Sequence, residues 1–303
     1  MNMLTQNDLA NYEKVKPPVT NKSNFAYSFK LLPKEERLAI NSIYAFCSYL
    51  DDIVDSTPNI NSKIIIKKLD RLAWWEQEIE KIYSDKIDNY ILKTFQNVVK
   101  RFDIPKQYFL TLIDGVRTDL IKYRYNTFDE LKDYCYSVAS IVGLISIEIF
   151  GYKYEETKNY AVNLGYALQL TNILRDIYTD AQRGYIYIPK EDLIKFNYTE
   201  EDILNANYNE NFIELMMFET ARAREFYYKA RSYLRTDEKP TIIPAEIMDA
   251  IYYRLLEKIE LNNYNVFSKK IKVSNIHKIM LSLKKWVSMK MFIQRILNRN
   301  NKI

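Results

Sequence analysis

An all-α, single-domain bundle is what this sequence predicts, and three observations carry the prediction. Only five glycines and eight prolines punctuate 303 residues, too few for the turns of a β-rich or doubly wound fold. Long stretches repeat apolar residues at helical spacing and are rich in Leu, Ile, Lys, Glu and Tyr. No Gly-rich phosphate loop of either common kind occurs. The length is large for one domain but acceptable for a single helical one.

The elements follow in order. "LPKEERLAINSIYAFCSYLDDIVD" starts at a Pro-initiated turn and is expected to run as a helix to Asp55, where "STPNINS" breaks it. "KIIIKKLDRLAWWEQEIEKIYSD" is amphipathic, and Asn89 to Phe102 is a further helix. "IPKQYFLTLIDGVRTDLIKYRY" begins a helix at Pro105. "TFDELKDYCYSVASIVGLISIEIFGY" opens on a Thr-x-x-Glu capping box, Thr127 to Glu130, and ends near Gly151. The helix around "LGYALQLTNILRDIYTD" follows, then "RGYIYIPKEDL", a loop with a short extended piece. "NFIELMMFETARAREFYYKARSYL", "PAEIMDAIYYRLLEKIEL" and a basic tail complete a bundle of roughly eight to ten helices.

Charge and composition narrow the function. Residues 261–303 carry ten Lys/Arg and no acid, so with a total of +5 the remainder nets −5. No nucleic-acid recognition motif accompanies that charge, and membrane lipid is the expected anionic surface. The single histidine, His277, lies in this tail, which argues against His-based acid–base or multi-His metal chemistry. Cys47 and Cys135 sit far apart in apolar helical stretches and read as buried small hydrophobes in a reduced cytoplasm. "MNMLTQNDLANYEK" lacks the basic start and apolar core of a secretory signal, and "VASIVGLISIEIF" is short for a membrane span and contains Glu148. A cytoplasmic protein is expected, peripheral to the inner face of the membrane through its tail.

Two helices carry the chemistry. In "LGYALQLTNILRDIYTD", Gln169, Asn172, Asp176 and Asp180 are spaced three, four and four apart and share one face. Residues 161–177 contain neither Lys nor Glu, so this is no ordinary solvated face. In the first helix Tyr44, Ser48, Asp51 and Asp55 form a matching stripe, and nothing between Arg37 and Asp51 is charged. Each stripe ends in an Asp pair one turn apart at a helix C-terminus, where the macrodipole disfavours it by about 0.3–1 kcal/mol per carboxylate and like charges at i,i+4 repel. A lone DDxxD is usually a solvated helix end. Two on nearly uncharged helices require cations, and Mg²⁺ fits because it takes few carboxylates and bridges to substrate phosphates; Mn²⁺ is its substitute.

The strings "SNFAYSFKLLP", "IYAFCSYLDDIVD", "LIDGVRTDL", "YCYSVASIVGL", "GYALQLTNILRDIYTDAQRGYIYIP" and "IYYRLLEKIELNNYNVF" resemble the squalene/phytoene synthase family, in family order, over about residues 23–290. The likeness is greatest to bacterial presqualene diphosphate synthases of hopanoid pathways. It implies an isoprenoid-synthase bundle with an extension at 1–22, a catalytic domain at 23–290 and a basic tail at 291–303. It also implies head-to-head condensation of two prenyl diphosphates with metal held by Asp51, Asp52, Asp55, Asp176 and Asp180, helped by Gln169, Asn172 and Arg175. Tyr44, Tyr134, Tyr187 and Tyr252 would line the diphosphate and reaction region, and Phe25, Val138, Ala139, Val142, Gly143 and Leu168 the chain tunnels. Three family arginines that contact diphosphate correspond here to Ser48, Tyr185 and Lys269; Arg183, Lys190 or Arg124 are the candidate substitutes. Asp114 and Asp119 are secondary candidates on what reads as a solvated face.

The resemblance implies farnesyl diphosphate as substrate and presqualene diphosphate, or squalene, as product. NADPH is left open, because no dinucleotide motif is present and family members that use it lack one. The alternatives are phytoene synthesis from geranylgeranyl diphosphate, as in carotenoid biosynthesis, and a non-catalytic family member serving as an assembly or interaction protein, which the retained Asp motifs disfavour. A chain-elongating prenyltransferase or a terpene cyclase would carry a different second motif.

Overall fold

The computed structural model describes residues 28–55, 62–87 and 90–300. The 1–22 extension and Phe25 lie outside the described residues. Helices α1 (Lys34–Asp55), α2 (Ser62–Tyr83), α3 (Tyr90–Arg101) and α4 (Lys106–Thr118) are joined by aromatic packing. Phe46 of α1 meets Trp75 of α2, Phe95 of α3 and Phe109 of α4 at ring-centroid distances of 5.1, 5.4 and 5.6 Å. One rod follows, α5 (Phe128–Cys135) running through a π-helical turn (Tyr136–Ser140) into α6 (Ile141–Phe150). Then come α7 (Glu156–Gln182), short α8 (Lys190–Lys195) and α9 (Glu200–Leu204), α10 (Glu210–Tyr233), α11 (Ile243–Leu261) and α12 (Asn275–Asn300). The fold is all-α as expected, and the extra helices are the two short pieces after the loop and the division of the rod.

Helix α7 is the centre of the bundle, packed along α10 on one side and α6 on the other. Its buried residues Leu164, Ala167, Leu170, Thr171 and Leu174 explain why the run lacks Lys and Glu. Close approach to the π turn depends on two glycines. A Cβ at Gly165 would stand 2.4 Å from Ser140 Cα, and one at Gly115 of α4 would stand 2.7 Å from Ser137 Cβ. The turn is thus clasped from two sides by backbone alone, and Ser140 Oγ donates to Val162 O at 2.8 Å. The rod Phe128–Phe150 is 23 residues, long and apolar enough by composition to cross a membrane; with Leu131, Cys135, Ile141 and Ile145 buried against the neighbouring helices, it is a core element.

Two expectations change locally. The helix beginning at Pro105 ends at Thr118 instead of continuing through "LIKYRY". The chain beyond it turns and pairs with the loop after α7, Ile186 N donating to Tyr123 O (3.1 Å) and Lys190 N to Tyr125 O (2.8 Å), bonds that a continued helix would forbid. At the capping box, Thr127 Oγ1 accepts from Glu130 N (3.3 Å), but the Glu130 carboxylate accepts from Asn126 N (3.1 Å), one residue earlier than predicted.

Candidate active site

The paired stripes converge. Helices α1 and α7 bring their C-terminal ends to one cavity of about 400 Å³ lined by Asp51, Asp119, Gln169, Asn172, Arg175, Asp176, Asp180, Arg183 and Tyr187. It is continuous with an apolar cavity of about 370 Å³, the two sharing Asp51, Asp119, Gln169 and Asn172. The apolar cavity is lined by Tyr44, Tyr134, Val138, Ala139, Val142, Gly143, Leu168 and Tyr252, each a predicted residue. Phe29, Ile147, Phe150, Tyr160 and Pro244 line it too and escaped the sequence reading. Asp52 is exposed, Ser48 half-buried and Lys269 exposed, and none of the three lines either cavity. Asp55 ends α1; its side chain is outside the described residues.

The charges within the polar cavity are unevenly balanced. Arg175 Nε donates to Asp176 Oδ1 at 3.0 Å, and Lys270 Nζ lies 2.9 Å from the same oxygen. Burial works against the Asp176 carboxylate, yet Arg175 and Lys270 prevail and hold its pKa below the ordinary value. Asp180, one turn on, feels Arg183, Lys270 and Arg175 less strongly than it feels its burial. Burial first, and the Asp176 charge second, push its pKa up to about 7. Lys270, and not Lys269, is the cation here. Of the three candidate substitutes for the missing arginines, Arg183 lines the cavity. Arg124 is tied to Glu200 (2.7 Å) and Gly184 O (2.6 Å), and Lys190 is exposed outside it. Where the family has an arginine, Tyr185 is buried and stacked on Tyr187 at 5.9 Å and 6°.

Asp119 belongs to the site, which corrects its reading as a solvated face; Asp114 is the exposed one, paired with Arg117. Because α4 stops at Thr118, the Asp119 carboxylate turns inward at the junction of the two cavities. Tyr134 Oη donates to its Oδ2 and Tyr187 Oη to its Oδ1, both at 3.0 Å, and Tyr185 Oη donates to its backbone O at 2.9 Å. Burial and this carboxylate push the Tyr134 and Tyr187 hydroxyls far above their usual pKa, so both remain neutral donors.

The donor set fits a hard divalent cation that also binds substrate phosphate. Asn172 Oδ1 is buried without a hydrogen-bond partner among the described residues, an orphaned oxygen beside carboxylates. Asp51, Asp176 and Asp180 line the same space. Mg²⁺ takes one or two carboxylates and completes its shell with water and phosphate.

Comparison with known proteins agrees with this geometry. The chain is 37% identical over 269 residues to "Phytoene synthase" of Arthrospira platensis, covering 84% of this chain and 85% of the relative. Among solved structures it resembles squalene synthase HpnC from Alicyclobacillus acidocaldarius (TM-score 0.74, 25% identity, 86% of this chain and 95% of that one). It resembles equally a dehydrosqualene synthase in complex with ligand (TM-score 0.74, 26% identity, 94% and 98%). The squalene/phytoene synthase family model matches residues 20–277, and its members are prenyltransferases. The two Asp-bearing helices, the polar cavity between them and the apolar channel behind it are therefore features of a member of the squalene/phytoene synthase family, to which this chain belongs.

Proposed function

We propose that this protein joins two geranylgeranyl diphosphates head to head, the phytoene synthase reaction. The observation that carries the substrate choice is the length of the apolar channel. Along α7 it is lined from Asn172 to Tyr160, twelve helical steps or about 18 Å. At about 1.2 Å per bond of an extended chain, the main chain of a geranylgeranyl group reaches about 18 Å and that of a farnesyl group about 13 Å. The likeness to a protein named phytoene synthase points the same way. This reading takes up the longer substrate, which the sequence analysis held as the alternative to farnesyl diphosphate.

The residues divide the work. Asp51 on α1, and Asn172, Asp176 and Asp180 on α7, line the polar cavity and are the residues that would hold Mg²⁺. When bound, the ion supplies Lewis-acid neutralisation of the departing diphosphate. Arg175, Lys270 and Arg183 add fixed positive charge beside the same oxygens. The C1–O bond breaks with its electron pair leaving on the diphosphate. The double bond of the second substrate attacks the allylic carbon and a proton is lost, and departure of the second diphosphate with loss of a second proton completes phytoene. Water must be kept out, and the lining of Val138, Ala139, Val142, Gly143 and Leu168 does so. Tyr44, Tyr134, Tyr187 and Tyr252 surround the junction and can stabilise carbocation charge through their ring faces.

The test is incubation of the purified protein with each diphosphate separately, in Mg²⁺, followed by chromatography of the products. Phytoene from the longer substrate and little product from the shorter one is the expected result. Product from farnesyl diphosphate alone would overturn the chain-length assignment and restore the presqualene diphosphate or squalene reading, to which the two structural neighbours lend support.

A further inference from the structure

The C-terminal helix packs on the core through Leu281 and Met289, yet it leaves a second apolar face in solvent. On α12 the side that packs on α11 carries Lys278, Ser282 and Lys285, the first two buried and the third bonded to Glu246 at 3.0 Å. The opposite side is apolar and in solvent. Ile276, Met280, Leu283, Val287 and Met291 are 71%, 58%, 54%, 45% and 51% exposed, and their spacing of four, three, four and four makes one stripe down the helix. Ile279 and Trp286, seven apart, widen it. A surface helix ordinarily hides such a face, and a contiguous exposed one marks an interaction site.

Charge says what covers it. Lys284 and Lys290 border the stripe, both exposed, with the Lys290 ammonium 5.4 Å from the centroid of the Trp286 ring. The whole segment 261–303 has ten Lys/Arg and not one acid. An apolar face with flanking cations and an interfacial Trp is the pattern of a helix lying in the headgroup boundary of an anionic bilayer. A second copy of the chain would bring the same unbalanced positive charge to the contact and be repelled.

Lys285 meets Glu246 at the start of α11, beside Pro244 and Ala245 at the far end of the apolar channel. We infer that the outer face of α12, Ile276 to Met291, is a docking surface for anionic lipid.

The experiment is co-sedimentation of the full-length protein with phosphatidylcholine vesicles, with and without phosphatidylglycerol, in the absence of substrate. Its outcome is thus independent of which diphosphate the site takes. Binding to the anionic vesicles is expected, with a fall of at least about ten-fold in the Leu283→Asp/Val287→Asp double variant. Lys284→Glu/Lys290→Glu should weaken binding by a similar factor and flatten its salt dependence, since each basic residue near such a surface contributes about five-fold. These positions are exposed, and unchanged circular dichroism verifies the fold. Wild type that stays in the supernatant, or a double variant that binds as well as wild type, overturns the inference. So does a wild-type dimer that the double variant converts to monomer without any vesicle binding.

Discussion

Helices α7 and α12 are nearly equal in length, 27 and 26 residues, and each breaks the amphipathic rule in the opposite sense. α7 is buried on most sides and turns a stripe of amides and carboxylates into an internal cavity. α12 buries Lys278 and turns an apolar stripe outward. In both, a face stands in the wrong medium for its chemistry, and a ligand has to make up the difference: metal and diphosphate for one, lipid for the other. The two violations differ in what supports them. The α7 stripe is held by a helix packed on most sides, whereas the α12 stripe is largely exposed among the described residues and can be altered at little structural cost.

The largest effect expected follows from that contrast. Asp176→Asn should lower turnover by at least about a hundred-fold while shifting Tm by only a few degrees, because the amide keeps a partner for Arg175 and Lys270. Full activity in excess chelator would refute a metal-dependent site. Next, Ala161→Phe, near the closed end of the channel, should reduce geranylgeranyl turnover about ten-fold or more and leave farnesyl turnover unchanged or raised. Equal losses on both substrates would mean that channel length does not set selectivity. Asp119→Asn should cost about ten-fold in kcat with KM little changed, and its effect should not add to that of Tyr134→Phe if the carboxylate acts by orienting that hydroxyl. The smallest effect sharpens the comparison directly. Gly165→Ala on α7 should destabilise by about 1–3 kcal/mol, since its methyl has no room beside Ser140. Leu283→Asp on α12 should change stability by no more than about 0.5 kcal/mol.

How much of this was legible in the sequence can be judged at particular residues. Asp51 and the stripe Gln169, Asn172, Asp176 and Asp180 were readable because helical spacing alone decides which side chains share a face. The tunnel residues Val138, Ala139, Val142, Gly143 and Leu168 were legible only through the resemblance to the family. Asp119 was not readable from spacing. Its place depends on α4 ending at Thr118, which depends in turn on Tyr123 and Tyr125 pairing with a loop more than sixty residues away. Local periodicity carries no trace of such a bond. The choice of Lys270 over Lys269 has a similar origin: both lie in an irregular segment where no helical period assigns a direction to neighbouring side chains. Ser48 has the correct spacing for the first stripe but lines neither cavity. For α12 the amphipathic pattern was visible, but a pattern does not say which face is turned inward. That was settled by Glu246, whose carboxylate receives Lys285.

The π-helical turn at Tyr136–Ser140 has a consequence for how the channel is encoded. Tyr134 before it and Val142, Gly143, Ser146 and Phe150 after it line one continuous cavity. In a regular helix one residue more or fewer rotates everything downstream by about 100°. Deleting a single residue from the turn would thus swing the latter set off the cavity wall while leaving every one of those side chains in the protein. The bore of the channel is written partly as a number, the count of residues between two helical segments, as a spacer sets the phase between two gears. Substitution can trim such a channel, but a one-residue deletion would put its two walls out of step.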